Sequence, residues 1–397
     1  MASQTRSRSR LPKPIFRIPD PLQPPLYRID LSLPPKERYA EVCNDYRTEL
    51  LQLAPLYDEI LDITPFPRLF KAAAKLLLRH VYSKEESEEI EGISEATGIP
   101  KHLVIALNTF LDLFSGCVSG GARVVDTGPT GTTTGIVHFR NLDWGMDVLR
   151  SLTICVEYVR GDVVIARGIT YAGYIGVLTG VSTVREGLSI SLNYRPTLAS
   201  TSSKFSLLSH YLLLLLGRRP SNSSLLRNLL LSPNPSPASL SALETELTSF
   251  PGSPCYLTFC TPDTIIVIER GLKSSVIHTS NTFLAVTNHD VEMESWSSET
   301  WDRLIGKQRH VEGDAGLTGT RDLVTDSIER KGCVCSSWNR QSGSRLTSKD
   351  VVGWLEVKPV LNECTHYSCA MDPSVPGGGL LWVRRYDEPV DMSSSQD

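Results

Sequence analysis

The chain has 397 residues, a formal net charge of -4 and a sequence pI near 6.1. This length allows one large core or two domains that pack together. The near balance of acidic and basic residues excludes the extended basic surface by which nucleic-acid-binding proteins hold phosphate, so we expect no nucleic-acid partner.

Residues 1–24 predict a disordered arm. Arg6, Arg8 and Arg10 alternate with serine and prolines follow, a composition that buries too little apolar surface to offset the cost of ordering. No long apolar stretch follows the arm, so the sequence shows no ordinary secretory signal. We therefore favour a cytoplasmic location over a lysosomal or secreted one.

Residues 25–116 predict a segment of one strand followed by helices. Apolar and polar residues alternate over 27–33, which is the periodicity of a strand. Gly98 and Pro100 mark the end of one helix and the start of the next. Helical patterns cover three stretches, residues 37–53, 55–63 and 67–114.

After residue 116 the pattern changes to short β-branched stretches separated by turn residues, which predict hairpin-connected strands. These strands cover residues 135–141, 152–158, 163–166, 188–192, 255–259, 264–269 and 282–287. The stretch 120–135 is rich in glycine and threonine, and we interpret it as the tip of a hairpin. Residues 200–250 predict a helical insertion.

The leucine-rich region 205–231 has two interpretations. Its most apolar part covers residues 205–217, with only Leu212 to Leu216 unbroken, and it is too short to cross a bilayer because a spanning helix needs about 20 apolar residues. The region is then either a set of buried helices or a surface that contacts lipid.

The nine cysteines are irregularly spaced. Cys333 and Cys335, together with Cys364, His366 and Cys369, form at most a loose zinc pattern because the chain has no CxxC pair. We therefore expect no metal site and interpret most of these cysteines as reduced thiols.

A candidate nucleophile lies where the helical segment gives way to strands. An apolar run ends at Gly116, Cys117 opens a segment of small residues, and a strand-like piece carries Arg140 and Asp143 three residues apart. A thiol becomes a strong nucleophile when a base or a positive neighbour favours the thiolate. The alternatives are an ordinary buried thiol for Cys117 and a structural ion pair for Arg140 with Asp143.

Several further motifs follow one another along the chain. They are Asn108-x-Phe110-x-x-Leu113-Phe114-x-x-Cys117-x-Ser119, Phe139 to Trp144, Tyr171 to Gly180, Ser189 to Arg195, Val286 to Asp290, Lys358 to Asn362 and Leu381 to Arg385. In these motifs the chain resembles the acid ceramidase and N-acylethanolamine-hydrolysing acid amidase family of N-terminal-nucleophile hydrolases. The resemblance implies an α+β fold in which two sheets lie between helical layers, an αββα sandwich. It divides the chain into an α-subunit-like segment, 25–116, and a catalytic β-subunit-like domain, 117–397.

The resemblance also implies that the precursor cuts itself between Gly116 and Cys117 and that the two pieces stay associated. The new N-terminus carries both a thiol and an α-amine, and an amine with a pKa of about 8 acts as a base. Asp143 would orient this amine, and Arg140 would favour the thiolate. Asn288 would donate its side-chain NH2 to the oxyanion of the reaction.

The remaining site residues also come from the resemblance. The family uses a further arginine after the asparagine, and we choose Arg303 over Arg309 for this role. Asn193 and Tyr174 are expected to contact the substrate. His289 suggests a Cys-His dyad, but no protease-like signature accompanies it.

The function that the resemblance implies is hydrolysis of the linear amide bond of an N-acyl lipid without a metal or an organic cofactor. Ceramide is the first candidate substrate and an N-acylethanolamine is the second. Two alternatives stay open at this point: an acyltransferase that uses the same cysteine, and an inactive relative that binds lipid.

Overall fold

A computed structural model of the protein describes residues 18, 20–62, 66–110, 116–128, 131–184, 187–196, 204–231, 245, 247, 251–305, 320–341, 345–375 and 378–391. The strands in these ranges are β1 (Leu26–Asp30), β2 (Gly116–Gly128), β3 (Gly131–Asp143), β4 (Thr153–Arg160), β5 (Val163–Tyr171), β6 (Thr179–Ser182), β7 (Ser189–Tyr194), β8 (Cys255–Cys260), β9 (Ile265–Arg270), β10 (Ser275–Ser280), β11 (Phe283–Val286), β12 (Thr365–Asp372) and β13 (Gly379–Arg385).

The helices in the same ranges are α1 (Ala40–Asp45), α2 (Arg47–Leu51), α3 (Leu53–Asp62), α4 (Pro67–Leu77), α5 (Lys84–Thr97), α6 (Lys101–Phe110), α7 (Lys204–Leu215), α8 (Asn222–Leu231), α9 (Ser298–Ile305), α10 (Thr320–Gln341) and α11 (Ser348–Leu355). Short 3-10 helices cover Pro35–Glu37, Asp147–Leu152 and Val291–Ser295. No helix in the described ranges is long and apolar enough to cross a membrane.

The strands form two sheets that face each other. One sheet has the order β1-β4-β5-β6-β7-β8-β9-β10, and the other has the order β11-β2-β3-β12-β13. Strands β2 and β3 pack on β7, β8 and β9 across the space between the sheets. Helix α11 covers the outer face of the smaller sheet, and α8 covers the outer face of the larger one. The predicted α+β class and the αββα layers are confirmed.

Strand β3 shows how the sequence is distributed between these layers. His138 and Arg140 point between the sheets, where they contact serine and asparagine side chains of β7. Phe139 and Asn141 point the opposite way, toward Trp354 and the carbonyl of Leu355 in α11. Since successive side chains of a strand alternate between its two faces, β3 is buried on both sides and carries polar groups into the inter-sheet space.

The N-terminal segment forms part of the larger sheet. Strand β1 pairs in parallel with β4, so the predicted N-terminal strand is confirmed. It is shorter than predicted because the carboxylate of Asp30 accepts hydrogen bonds from the backbone and hydroxyl of Ser32, which turns the chain. Gly98 ends α5 with a φ of 81°, a left-handed conformation that favours glycine.

The stretch 120–135 contains the end of the β2–β3 hairpin, as predicted, because the paired strands meet there at Gly128 and Gly131. Most of this stretch is regular strand, since β2 and β3 pair continuously from Gly116 opposite Asp143 to Gly128 opposite Gly131. Glycine is needed inside β2 because a Cβ at Gly120 would come within 2.2 Å of the carbonyl oxygen of Leu284. Close packing against a neighbouring strand therefore explains residues that resemble a loop by composition.

Candidate active site

The β2–β3 hairpin brings the predicted nucleophile and its arginine together. In the register of this pair Gly116 lies opposite Asp143, and Ser119 lies opposite Arg140. Cys117 begins the buried part of β2, and Nη2 of Arg140 donates a hydrogen bond to its sulfur over 3.3 Å. Both side chains are fully buried. The short separation follows from the hairpin, because both side chains project between the sheets.

The guanidinium of Arg140 is electrostatically unusual. Burial lowers its pKa, but the neighbouring Cys117, Tyr367 and Cys369 more than offset this, so the pKa lies above its usual value. Its Nε has no hydrogen-bond partner among the described residues. A buried cation is stabilised when a neighbouring thiol or phenol loses its proton and becomes an anion. The environment of Arg140 therefore favours a thiolate at Cys117.

Asn193 supports Arg140 from the facing sheet. It is fully buried at the end of β7, and its Oδ1 accepts hydrogen bonds from Nη1 of Arg140 at 3.1 Å and Oγ of Ser119 at 3.0 Å. Its Nδ2 donates to the carbonyls of Val286 and Thr287, each at 3.3 Å. Asn193 is thus linked to the sulfur of Cys117 through Arg140. Its contact with substrate stays a prediction.

Asp143 pairs with Arg330 instead of Arg140. Its carboxylate accepts hydrogen bonds from Nη1 of Arg330 at 2.8 Å, Oγ1 of Thr365 at 2.8 Å and Nδ2 of Asn362 at 3.1 Å. Residues 140 and 143 are an odd number of positions apart, so their side chains leave β3 on opposite faces. These three donors hold the carboxylate of Asp143 beside Gly116, the residue that precedes Cys117.

Asn288 lies directly opposite Cys117. Strand β11 pairs with β2 so that Val286 lies opposite Ser119, and the same register two residues further places Asn288 beside Cys117. Oδ1 of Asn288 accepts hydrogen bonds from the backbone nitrogen of Cys117 at 2.7 Å and from Nη2 of Arg330 at 3.2 Å. Its Nδ2 donates to the carbonyl of Tyr194 at 2.7 Å. The nitrogen that cleavage would free is therefore held by Asn288.

Comparisons with known proteins show which proteins this chain is similar to. A family model described as the beta subunit of N-acylethanolamine-hydrolyzing acid amidase matches residues 23–82. The N-acylethanolamine-hydrolyzing acid amidase of Caenorhabditis elegans is 32% identical over 187 residues, which cover 44% of this chain and 48% of that protein. The acid ceramidase of Mus musculus is 28% identical over 189 residues, which cover 43% of this chain and 45% of that protein. The chain is thus similar over part of its length to acid ceramidases and to an N-acylethanolamine-hydrolyzing acid amidase.

The resemblance predicted from the motifs is therefore confirmed. The acid ceramidase of Homo sapiens is 29% identical over 189 residues, which cover 43% of this chain and 45% of that protein. A solved structure of the Caenorhabditis elegans N-acylethanolamine-hydrolyzing acid amidase ortholog covers 66% of this chain and 94% of its own, with 24% identity and a TM-score of 0.45. This chain matches a little under half the length of these curated relatives.

The structure brings Arg330 to Asp143 and Asn288, whereas Arg303, the arginine chosen from the resemblance, does not contact them. The structure places Arg303 in the last turn of α9 with its side chain exposed. Arg330 of α10 instead bridges Asp143 and Asn288 and is buried. Arg309 lies outside the described residues. Ser327 of the same helix also contacts Asn288. The spacing of three residues between Ser327 and Arg330 puts both on one face of α10, and this spacing is the local sequence feature that could have indicated Arg330.

The structure places Tyr174 on the turn that follows β5, where it is fully buried. Asn108 of α6 holds this turn, because its Nδ2 donates to the carbonyl of Gly173 at 3.0 Å and its Oδ1 accepts from the backbone of Ile175 at 2.8 Å. Two of the motifs that carry the resemblance thus meet here. The role of Tyr174 as a substrate contact stays a prediction.

Within the described ranges, no group of three or more histidine, cysteine, aspartate or glutamate side chains could hold a metal ion. His366, a member of the loose cysteine and histidine pattern, accepts or donates a hydrogen bond with the hydroxyl of Tyr171 at 2.9 Å. Burial lowers the pKa of His366 to about 3. These facts describe a neutral core histidine.

Proposed function

We propose that the protein is an amidohydrolase that cleaves the linear amide bond of an N-acyl lipid, with Cys117 as an N-terminal nucleophile. The observation that carries the proposal is the contact of 3.3 Å between the guanidinium of Arg140 and the sulfur of Cys117. This contact favours the thiolate, and Asn288 holds the backbone nitrogen of the same residue. The thiol of Cys117 and the nitrogen that would become its α-amine therefore each have a polar partner that supports the proposed role.

In the first step Cys117 activates itself. The thiolate attacks the carbonyl carbon of Gly116, the peptide bond to the nitrogen of Cys117 breaks, and this nitrogen takes up a proton. The product is a thioester between Gly116 and Cys117, and water hydrolyses it to a carboxylate and a free thiol. In the intact chain Cys117 is fully buried, so we interpret the uncut form as an inactive zymogen.

In the second step the free N-terminus acts on the lipid. The sulfur of Cys117 attacks the acyl carbonyl, and the α-amine carries the thiol proton to the departing amine. Water then releases the fatty acid from the thioester. Asn288 donates its side-chain NH2 to the oxyanion, and Asp143 with Arg330 orients the α-amine through charge and hydrogen bonds.

The substrate follows from the relatives, whose names cite N-acylethanolamines and ceramide. We propose ceramide as the first substrate, which would give a sphingoid base and a fatty acid, and an N-acylethanolamine as the second. Transfer of the acyl group from Cys117 to an amine instead of water is the closest alternative reaction.

A membrane surface is the proposed source of this lipid. Phe205, Leu208 and Leu212 lie on one face of α7, with 80%, 68% and 47% of their surfaces exposed. We call these three residues the α7 stripe. Helix α8 does not share this exposure, because most of its residues are buried. The proposed lipid contact of the region 205–231 is therefore confined to α7.

The experiment is a fatty-acid release assay with ceramide and N-acylethanolamine in mixed micelles, comparing the wild-type protein with Cys117→Ala. We expect release by the wild type and none by the variant. New amides formed when a primary amine is added would support the transferase. Lipid binding without release by either protein would contradict the proposal and favour a lipid-binding relative.

A further inference from the structure

A second hydrogen-bond network holds the backbone of Asn288. The hydroxyl oxygen of Ser327 in α10 accepts the backbone N–H of Asn288 at 2.6 Å and lies 2.7 Å from Nδ1 of His289. Nε2 of His289 is 3.2 Å from Oε1 of Glu294, and the same oxygen accepts a hydrogen bond from Lys331 at 2.5 Å. Ser327 and His289 are buried, whereas the Glu294 side chain is 41% exposed. The network therefore runs from the protein surface to the residue opposite Cys117.

A carboxylate only accepts, so the proton of neutral His289 sits on Nε2 and points to Glu294. Nδ1 of His289 is then an acceptor, with the hydroxyl of Ser327 at 2.7 Å and that of Thr287 at 3.1 Å. The hydroxyl of Ser327 also lies 2.8 Å from Oγ1 of Thr287, and in either arrangement a lone pair of Ser327 accepts the backbone N–H of Asn288. The hydroxyl of Thr287 donates to the carbonyl of Ser327 at 2.9 Å. A network satisfied in this way favours a single conformation.

Serine, histidine and glutamate are also the components of a hydrolytic triad. Ser327, however, has no exposed surface and lies inside the 22-residue helix α10. Its oxygen is already engaged with the backbone of Asn288 and with His289. A nucleophile needs a free approach for a carbonyl carbon, so this geometry fits a supporting role.

We propose that Ser327 and His289 are positioning residues that hold Asn288 against Cys117. Ser327 binds the backbone of Asn288, and Arg330, one helical turn further along α10, binds its side chain. His289 acts through Ser327, because its Nδ1 lies 2.7 Å from the Ser327 hydroxyl and offers it an acceptor. The inference rests on the proposed function, in which Asn288 acts at Cys117.

Two substitutions of His289 separate this role from a general structural one. In His289→Asn the side-chain oxygen takes the place of Nδ1 and still accepts the Ser327 hydroxyl. In His289→Gln the amide takes the place of Nε2 and loses that contact. Loss of one hydrogen bond corresponds to about a tenfold change in a rate. We expect self-cleavage about tenfold slower in His289→Gln and Ser327→Ala, and close to the wild-type rate in His289→Asn.

Ser337→Ala is the matched control. Ser337 is also a buried serine of α10, and the rise of a helix places it about 15 Å further along the axis. This variant should cut at the wild-type rate. Equal rates in His289→Asn and His289→Gln, or a wild-type rate in Ser327→Ala, would overturn the proposal.

A second measurement does not depend on activity. In the Cys117→Ala background, backbone hydrogen exchange at Asn288 should be about tenfold faster in Ser327→Ala and in His289→Gln, and unchanged in His289→Asn and Ser337→Ala. Unchanged exchange in all four variants would overturn the positioning role. If the wild-type chain is never cut, the proposed function fails, and the exchange rates still decide whether Ser327 and His289 hold Asn288.

Discussion

Replacing Arg330 by methionine should slow self-cleavage by about two orders of magnitude. Arg330 makes a hydrogen bond of 2.8 Å to Asp143 and one of 3.2 Å to Asn288. A bond between charged groups contributes about 1.5–3 kcal/mol and a bond to a neutral acceptor about 1 kcal/mol. The sum of about 3 kcal/mol, if it acts on the transition state, corresponds to roughly a hundredfold in rate.

Folding of this variant should survive, because Asp143 keeps its hydrogen bonds from Asn362 and Thr365. The assay follows the cut fraction over time by intact mass. Arg303→Met is the matched control, since it removes the same charge from an exposed position. A wild-type rate in Arg330→Met, or a hundredfold loss in Arg303→Met, would refute the assignment of the arginine.

Three further predictions concern stability and lipid contact. Arg227→Met should lower the free energy of unfolding by about 3–5 kcal/mol, because buried Glu89 keeps only one of its two arginine partners. For 397 residues this is a Tm shift of about 4–6 °C, and calorimetry should show recovery in the Glu89→Met/Arg227→Met double variant. Acid should destabilise the protein, because burial lowers the pKa of His138 to about 3. Between the unfolded pKa of about 6.5 and pH 3 the unfolded chain binds more protons than the folded one, so each pH unit of acidification lowers the free energy of unfolding by about 1.4 kcal/mol. The Tm should therefore fall less steeply from pH 7 to pH 4 in His138→Gln than in the wild type. An equal fall of Tm with pH in both proteins would contradict this cause. Serine at all three positions of the α7 stripe should abolish flotation with phosphatidylcholine vesicles while the thermal stability stays unchanged, and unchanged flotation would remove the stripe as a lipid contact.

The contact between Cys117 and Arg140 could be predicted because it depends on local order along the chain. Cys117 and Arg140 belong to one hairpin, and regular antiparallel pairing brings residues of neighbouring strands together. Asn288 follows a strand that pairs with β2. Each of these residues lies at or near a strand end that β-branched periodicity indicates.

Arg330 could not be found in this way. Helix α10 begins more than 30 residues after Asn288, and its place against β2 and β11 depends on the packing of the whole layer. Arg303 and Arg309 were nearer in sequence to Asn288, but distance along the chain does not measure distance in the fold. The network of Ser327 and His289 was missed for the same reason.

The regular pairing of β2 over most of residues 120–128 could not be predicted, because composition does not distinguish a flexible glycine from a closely packed one. A Cβ at Gly121 would lie 2.7 Å from the side chain of Ile265 in the facing sheet. Only the three-dimensional arrangement of the two sheets shows that small residues are required there.

The most direct test of the account is intact mass and N-terminal sequencing of the purified protein, wild type beside Cys117→Ala, over a range from about pH 4 to about pH 8. The account predicts that the wild type gives two pieces, residues 1–116 and 117–397, with a new N-terminus at Cys117, and that the variant stays whole. A wild-type chain that stays intact at every pH would contradict it, because Cys117 would then have no α-amine to act as its base.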